Sequence, residues 1–350
     1  MKEYNFFKHY INDRNILYIP IISCINRDTN EYNLAADGNV NRFITTFSLC
    51  DTYKSLTIIL PLKHIDGSEE FINKFKNDKI HIIYSSNFGI HAGEQRNNDE
   101  IVNNIFLDIL GIDFDICIFE SQKLGLRLMD YHKIDDKEFI FWNPVSKTKN
   151  KSRIFLEGYD TINNIIYDKV NYMIVASPDQ VSYYSKISVN FDKLIYLDKL
   201  IDRDLKIFDY KIDELILNVL KEFNNVKIYY LPFRLSDEGY KLDKVLEYLK
   251  NEKENYIVLY TDPNNSHIID KFDDDIRKYF IKVSSDRNTY YTILDYVDCT
   301  ILYFEDLEFI NHAAIHEFMN SKTKAKVIVY NQNNNPYNIN SCDRIKNIVF

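Results

Sequence analysis

The chain has 350 residues, which is long enough for two domains of ordinary size, each with its own hydrophobic core. Hydrophobic residues make up 45% of the sequence and charged residues 27%, a balance typical of soluble globular proteins. The net charge of −9 excludes a global basic field that would draw the protein to nucleic acid or an anionic membrane, although a local basic patch can still do so.

The amino-terminal sequence MKEYNFFKHYINDRN is charged and lacks the apolar region and cleavage site of a signal peptide. No apolar run reaches the length that spans a membrane. Five cysteines are scattered without a C-x-x-C pair, as in a reduced intracellular protein with buried thiols; they are Cys24, Cys50, Cys117, Cys299 and Cys342. We therefore expect a cytoplasmic protein.

Short apolar runs alternate with amphipathic segments through the first 200 residues. Helices are predicted through 40–47 and at 102–110 from their apolar periodicity. The runs between them are apolar on both faces, as are strands that helices cover on both sides. Strands are predicted, in chain order, at 15–22, 56–62, 79–86, 115–120, 138–143, 172–178 and 193–197.

A polar joint and a helix over 200–225 precede a second series of alternating segments. Its predicted strands are 226–233, 256–262, 279–285, 299–305 and 326–331, and its predicted helices are 242–249, 267–272, 289–297 and 310–320. We expect an α/β protein with two Rossmann-like, doubly wound domains, over 1–205 and 206–330, that face each other across a cleft. Residues 331–350 are expected to form a polar tail over the surface.

Two cations follow the first strand of the second domain, in the sequence LPFRLSDEGYKLDKV. Arg234 comes just past the strand and Lys241 opens the next helix, so both are predicted at the carboxyl edge of the sheet, where open α/β sheets bind ligands. An arginine fork and a lysine ammonium group suit a diphosphate. The alternative is a solvated surface pair near Asp237 and Glu238.

Polar residues also end the next two strands of this domain. Thr261 and Asp262 precede a proline that stops the strand, and Arg287 precedes a helix. Loops of this kind often pack against a nucleotide, although each is by itself only a turn.

The fourth strand end of this domain lies in YFEDLEFINHAAIHEFM. Asn311 and His312 begin a predicted helix whose first turn has small residues, so that a ligand can approach the free backbone N–H groups. Glu317, about one turn further, can accept hydrogen bonds from two ribose hydroxyls. The alternative is a capped helix with a buried histidine.

Cations after the first strand of a second Rossmann-like domain, followed by a late strand, loop and helix with a glutamate, resemble the GT-B-fold glycosyltransferases. The resemblance implies an enzyme that transfers a hexosyl or related group from a nucleotide-diphosphate sugar, which we take as a UDP-sugar, to an acceptor hydroxyl. It places Arg234 and Lys241 on the diphosphate and Glu317 on the ribose. It implies no cofactor and no metal, and the sequence has no D-x-D motif at a strand end. The sequence departs from the common retaining pattern, since Gly239 precedes Lys241 instead of following it.

In that family the first domain binds the acceptor and often supplies the base. The loop SSNFGIHAGEQRNNDE (85–100) holds two of the eight glycines of the chain, which indicates a backbone that needs freedom or close approach. His91 and Glu94 are the predicted catalytic bases, Arg96 is a predicted acceptor contact, and Asp37 is a weaker catalytic candidate. The alternative is a helix-capping loop with a solvated histidine.

The segment FWNPVSKTKNKSR (141–153) contains the only tryptophan of the chain, Trp142, followed by Lys147, Lys149 and Lys151. A basic loop beside an exposed aromatic residue suits a nucleic-acid backbone and an unstacked base. The alternative is a solvated loop with Trp142 in the core.

The acceptor is therefore left open. It is either a hydroxymethylated base in DNA, as for a phage or viral enzyme in the host cytoplasm, or a cell-surface glycan or small molecule. An epimerase and a non-catalytic nucleotide-binding or scaffold protein are the other classes. A dinucleotide dehydrogenase is disfavoured because no G-x-G-x-x-G follows a strand. The sequence does not predict the oligomeric state.

Overall fold

The structure is a computed structural model. The residues it describes are 3–22, 25–26, 29–34, 37–64, 68–88, 98–132, 137–142, 165–175, 191–197, 211–223, 225–232, 235, 242–252, 254–262, 266–304, 326–331 and 345–348. The chain divides into two compact units. The first unit is Met1–Ile25 with Thr29–Leu200, and the second unit is Asn26–Asp28 with Ile201–Phe350.

The first unit is built on a parallel sheet. Among the described residues its helices are α1 (Tyr4–Tyr10), α2 (Gly38–Leu49), α3 (Ser68–Phe75), α4 (Asp99–Ile109) and α5 (Gln122–Tyr131), and residues 165–169 are also helical. Its strands are β1 (Asn15–Ile19), β4 (Ser55–Pro61), β5 (Ile80–Ser85), β6 (Ile116–Phe119), β7 (Glu138–Trp142), β8 (Tyr172–Val175) and β9 (Leu194–Tyr196), and two short strands, β2 (Ile25–Asn26) and β3 (Glu31–Tyr32), form a separate small sheet.

Within the described residues the strands of this sheet lie in the order β5-β4-β1-β6-β7-β8-β9, and neighbours run parallel. The chain first adds strands on one side of β1 and then continues on the other side, so the order reverses between β1 and β6. The strands 16–19 and 116–119 are buried throughout. Burial on both faces explains their uninterrupted apolar sequences.

The second unit repeats this plan. Its helices are α6 (Glu214–Glu222), α7 (Leu242–Lys250), α8 (Asp274–Arg277) and α9 (Arg287–Tyr296). Its strands are β10 (Lys227–Leu231), β11 (Tyr256–Thr261), β12 (Phe280–Val283), β13 (Cys299–Phe304), β14 (Lys326–Asn331) and β15 (Ile345–Ile348). They are parallel in the order β12-β11-β10-β13-β14-β15, so the order reverses between β10 and β13.

The prediction of two doubly wound, Rossmann-like sheets is confirmed. Each predicted strand corresponds to an observed one within a few residues. The helix predicted at 267–272 is only the 3₁₀ turn Ile269–Lys271, and the helix predicted at 310–320 lies outside the described residues.

The predicted surface tail over 331–350 is wrong for Ile345–Ile348, which form β15. In this strand Ile345 is opposite Val327 and Ile348 is opposite Tyr330, in parallel register. A four-residue run at the end of a polar segment gives a weak sequence signal, and the strand is held by the edge of β14.

Candidate functional site

Most of the predicted site residues lie outside the described residues. These are His91, Glu94, Arg96, Lys147, Lys149, Lys151, Arg234, Lys241, Asn311, His312 and Glu317. The structure describes Asp37, Trp142, Thr261 and Asp262, and it gives the backbone of Arg287.

The strand order of the second unit bears on the predicted donor site. β10 ends at Leu231, three residues before Arg234, and β13 ends at Phe304, ahead of the segment with Asn311 and Glu317. β10 and β13 are adjacent, and they are the two strands between which the order reverses. Open α/β sheets bind ligands outside the carboxyl ends of such strands. The two segments predicted to bind the donor are thus the ones that leave the sheet at this point.

Thr261 and Asp262 lie at the carboxyl end of β11, which is adjacent to β10. Asp262 is buried, and its Oδ2 accepts hydrogen bonds from the backbone N–H groups of Ser266 at 2.7 Å and His267 at 3.3 Å. Thr261, the last residue of the strand, is partly buried. The carboxylate of Asp262 therefore stabilises the backbone at Ser266 and His267.

Arg287 is the first residue of α9, whose N-cap is Asp286. The Asp286 Oδ1 accepts a hydrogen bond from the Thr289 backbone N–H at 3.0 Å. Burial would raise the pKa of Asp286, but hydrogen bonds from Ser284 and Thr289 lower it below its usual value. The start of α9 is therefore held by a charged carboxylate, which also suits the positive end of the helix dipole.

Asp37, the weaker catalytic candidate, is the N-cap of α2. Its Oδ1 accepts hydrogen bonds from the backbone N–H groups of Asn39 at 2.8 Å and Val40 at 3.1 Å, and the residue is fully buried. Its carboxylate therefore stabilises the amino-terminal turn of α2.

Trp142 is the last residue of β7 and is fully buried. Its ring centroid lies 5.7 Å from that of Tyr18 in β1. The expectation of an exposed tryptophan beside a basic loop is wrong, and the alternative, a tryptophan in the core, is confirmed. The physical reason is that β7 lies inside the sheet, between β6 and β8, where a large aromatic side chain is covered.

A buried polar cluster that the sequence did not predict lies at the carboxyl edge of the first unit's sheet. Glu120 follows β6 and has no exposed surface. Its Oε1 accepts hydrogen bonds from the Tyr18 hydroxyl at 2.6 Å and from Arg42 Nη2 at 2.5 Å. Its Oε2 accepts one from the Ile21 backbone N–H at 3.0 Å. Three donors from two parts of the chain, the end of β1 and α2, thus converge on one carboxylate.

Arg42 projects from α2 and lies over Trp142, with its Cζ 4.8 Å from the ring centroid. Its side chain is only 8% exposed. Burial alone would lower the pKa of Arg42, but Glu120 raises it above its usual value, so the guanidinium stays charged. Burial and the neighbouring Glu120 raise the pKa of Tyr18 well above its usual value, so its hydroxyl stays a donor.

One signal in the sequence indicates that Glu120 needs a partner, although it does not identify that partner. Glu120 ends a run of four apolar residues, ICIF, and a carboxylate directly after a fully buried strand needs a partner. Nothing local in the sequence identifies that partner, because Arg42 is 78 residues away.

No group of three or more histidine, cysteine or acidic side chains within the described ranges is arranged to hold a metal ion. Among the same residues, no helix combines the length and the apolar character that crossing a bilayer requires.

Comparison with protein-family models finds no match, and comparison with curated protein sequences finds none either. Solved structures do match. HepE from Anabaena, solved in complex with UDP-glucose, has a TM-score of 0.62 and 10% identity over 90% of this chain and 80% of its own. A glycosyltransferase from Rickettsia africae has a TM-score of 0.61 and 15% identity over 97% of this chain and 84% of its own. UGT89C1 from Arabidopsis thaliana, solved in complex with UDP, has a TM-score of 0.58 and 10% identity over 96% of this chain and 86% of its own.

These likenesses extend over both units and agree with the strand order seen in each. The protein therefore has the GT-B fold, with two Rossmann-like parallel-sheet domains.

Proposed function

We propose that the protein is a glycosyltransferase that moves a sugar from a UDP-sugar to an acceptor hydroxyl. The observation that carries the proposal is the likeness, over 90% or more of this chain, to HepE with UDP-glucose and to UGT89C1 with UDP. At 10% identity this likeness gives the fold, and the donor and reaction are our inference from it.

The second unit is the proposed donor site. Its strand order reverses between β10 and β13, which supports a ligand at the carboxyl ends of these strands. Arg234 and Lys241 would hold the diphosphate and Glu317 the ribose, with further contacts from Asn311 and His312. Thr261, Asp262 and Arg287, at neighbouring strand ends, would line the nucleotide.

The proposed chemistry follows from the charges that develop during transfer. As the bond between the sugar and the diphosphate breaks, negative charge grows on the leaving diphosphate, and the two cations stabilise it. A base, His91 or Glu94, accepts the proton of the attacking hydroxyl. The nucleotide sugar is itself the donor substrate, so the proposal includes no cofactor.

The acceptor has two candidates. Lys147, Lys149 and Lys151 favour the phosphate backbone of a DNA with hydroxymethylated bases. Two observations favour a glycan or small-molecule acceptor. The net charge of −9 argues against a broad basic surface, and the burial of Trp142 makes its ring unavailable for stacking on a base.

The donor site is tested by a thermal-shift panel of nucleotide diphosphates, UDP-glucose included, followed by calorimetry with UDP. A ligand that binds only the folded protein raises the melting temperature. We expect Arg234→Ala to weaken UDP binding by about 2 kcal/mol, because it removes charge-assisted hydrogen bonds. The matched control is Arg277→Ala, which removes an exposed arginine of the same unit and should leave UDP affinity unchanged. Equal affinities of both variants and the parent would refute the donor site.

The acceptor is tested by UDP release from UDP-glucose with either of two probes, a duplex containing 5-hydroxymethylcytosine or free glucose. Replacing Lys147, Lys149 and Lys151 by Gln should flatten the salt dependence of duplex binding if DNA is the acceptor. An unaltered salt dependence would exclude DNA as the acceptor. UDP binding without turnover on either probe would favour the non-catalytic alternative.

A further inference from the structure

In the segment after β1 (residues 20–22), the backbone of Ile21 is held by side chains instead of by a strand ladder. Pro20 has no N–H, so the ladder of β1 ends at Ile19. The buried Ile21 then donates its N–H to Glu120 Oε2 at 3.0 Å, and its carbonyl oxygen accepts from Asn39 Nδ2 at 2.6 Å. Both backbone groups of Ile21 are therefore satisfied by polar side chains, one from Glu120 just after β6 and one from Asn39 in α2.

The Glu120 carboxylate is fixed in turn from several sides. Its backbone N–H donates to the Ile19 carbonyl oxygen at 3.1 Å, so the residue is anchored to the end of β1. Arg42 and Tyr18 hold its Oε1, and the Trp142 ring covers the guanidinium. Glu120 is therefore held from several sides in the position where it accepts the Ile21 N–H.

Filling a core with charged side chains carries a cost in folding free energy. A buried ion pair often contributes no more stability than apolar residues of the same volume. Arg42 Nε and Trp142 Nε1 are also buried without a hydrogen-bond partner in the part of the chain that the structure describes. Buried charges and unpaired polar atoms of this kind are typical of functional sites, where the position of a group matters more than its contribution to stability.

The cluster lies where the first unit's sheet would bind a ligand. β1 and β6 are the strands between which the order reverses, and Ile21 and Glu120 follow their carboxyl ends. We propose that the Arg42–Glu120 pair positions the backbone of Ile21, and with it the segment after β1, for binding the acceptor. This rests on the proposed function, which gives the first unit the acceptor. Arg42 and Glu120 act through Ile21 and are positioning residues.

The test compares this pair with a second arginine–glutamate pair of the same sheet. Arg14 Nη1 and Glu138 Oε1 are also 2.5 Å apart, but they lie at the opposite, amino-terminal end, just before β1 and at the start of β7. Their side chains are 36% and 32% exposed, against 8% and 0% for Arg42 and Glu120. The variants are Arg42→Met with Glu120→Gln, and the control is Arg14→Met with Glu138→Gln.

Three quantities are measured on the full chain: amide exchange of Ile21 by NMR, UDP affinity by calorimetry, and transfer from UDP-glucose to the duplex or glucose probe. We expect the Arg42/Glu120 variant to exchange the Ile21 amide about tenfold faster, because the charged acceptor is lost. Transfer should fall about 100-fold, since small misplacements cost that much. UDP affinity should stay within about twofold, because the proposed donor residues belong to the second unit and share no partner with this pair among the described residues. The control should leave all three unchanged.

Arg42→Lys keeps the charge that pairs with Glu120. It should retain the slow exchange of Ile21 and most of the transfer rate, which also covers the case in which the double variant fails to fold. Parent-like exchange or parent-like transfer in the double variant would overturn the proposal, as would a loss of transfer in the Arg14/Glu138 control. A parent that neither binds UDP nor transfers would overturn the proposed function and, with it, the acceptor role of this segment. The exchange of Ile21 needs no substrate, so it would still test whether Arg42 and Glu120 position Ile21.

Discussion

Asp37 shows how one residue can satisfy two different readings of a sequence. The sequence makes Asp37 a weaker catalytic candidate, but in the structure it is buried and caps α2 through the backbone N–H groups of Asn39 and Val40. Asparagine caps helices as well as aspartate does, whereas alanine does not.

We therefore expect Asp37→Ala to lower the free energy of unfolding by about 1 kcal/mol. Asp37→Asn should retain most of the stability and the full rate of transfer, because it keeps the capping oxygen. Urea denaturation and UDP release measure the two effects. A stable Asp37→Asn variant without activity would instead establish Asp37 as the catalytic base.

His132 gives a pH prediction at the same scale. It follows α5, where its ring contacts those of Phe114 and Tyr131, and burial, with a smaller effect of Lys137, lowers its pKa. The folded protein therefore disfavours the imidazolium relative to the unfolded chain. The stability that neutral His132 contributes is fully present above about pH 6.5, which is its pKa in the unfolded chain. This stability is lost as the pH falls from there towards the lower pKa of His132 in the folded protein.

Urea denaturation of the parent and of His132→Gln between pH 8 and pH 5 tests this. The parent should lose more stability than the variant over this range, and the difference isolates His132 from the other histidines. Parallel pH curves for the two proteins would contradict the assignment.

At the scale of elements, the packing of α5 on β6 depends on a glycine. A Cβ atom at Gly125 would lie 1.9 Å from Cε2 of the buried Phe119. Alanine favours a helix by about 1 kcal/mol over glycine, but overpacking a core costs about 1–3 kcal/mol. The steric term therefore outweighs the gain in helix propensity.

We expect Gly125→Ala to lower the free energy of unfolding by about 1–2 kcal/mol, as measured in urea. The control is Gly38→Ala at the start of α2, where no atom lies within 4 Å of the added Cβ and no loss is expected. Phe119→Leu should recover part of the loss in the Gly125→Ala background. Equal stability of the two glycine variants would show that α5 can move away from β6.

At the scale of the whole molecule, the two units have different proposed ligands. UDP binds the second unit in the proposal, so its stabilising effect, about 2.7 kcal/mol at 100-fold excess over the Kd, should appear there. We expect UDP to slow amide exchange in β10, β11 and β13 and to leave β1, β4 and β6 unchanged. Mass-spectrometric exchange with and without UDP measures this, and slowing confined to the first unit would reverse the assignment.

Much of the fold could be predicted from local sequence. Runs such as ICIF and YIVLY are short, rich in β-branched and aromatic residues and apolar at every position, as are strands covered on both faces. Their alternation with helices then required parallel sheets. β15 was missed because four residues, IKNI, carry little local signal and are held by β14.

The candidate site was harder to predict from the sequence than the fold. The sequence alone determined where strands end and which polar residues follow them, because burial patterns and turn residues are local properties. Only the tertiary structure decided that Trp142 is covered, that Asp37 caps a helix and that Glu120 is paired with Arg42 from 78 residues away. Partners of this kind depend on the order of strands in the sheet, and that order is set by contacts between distant segments.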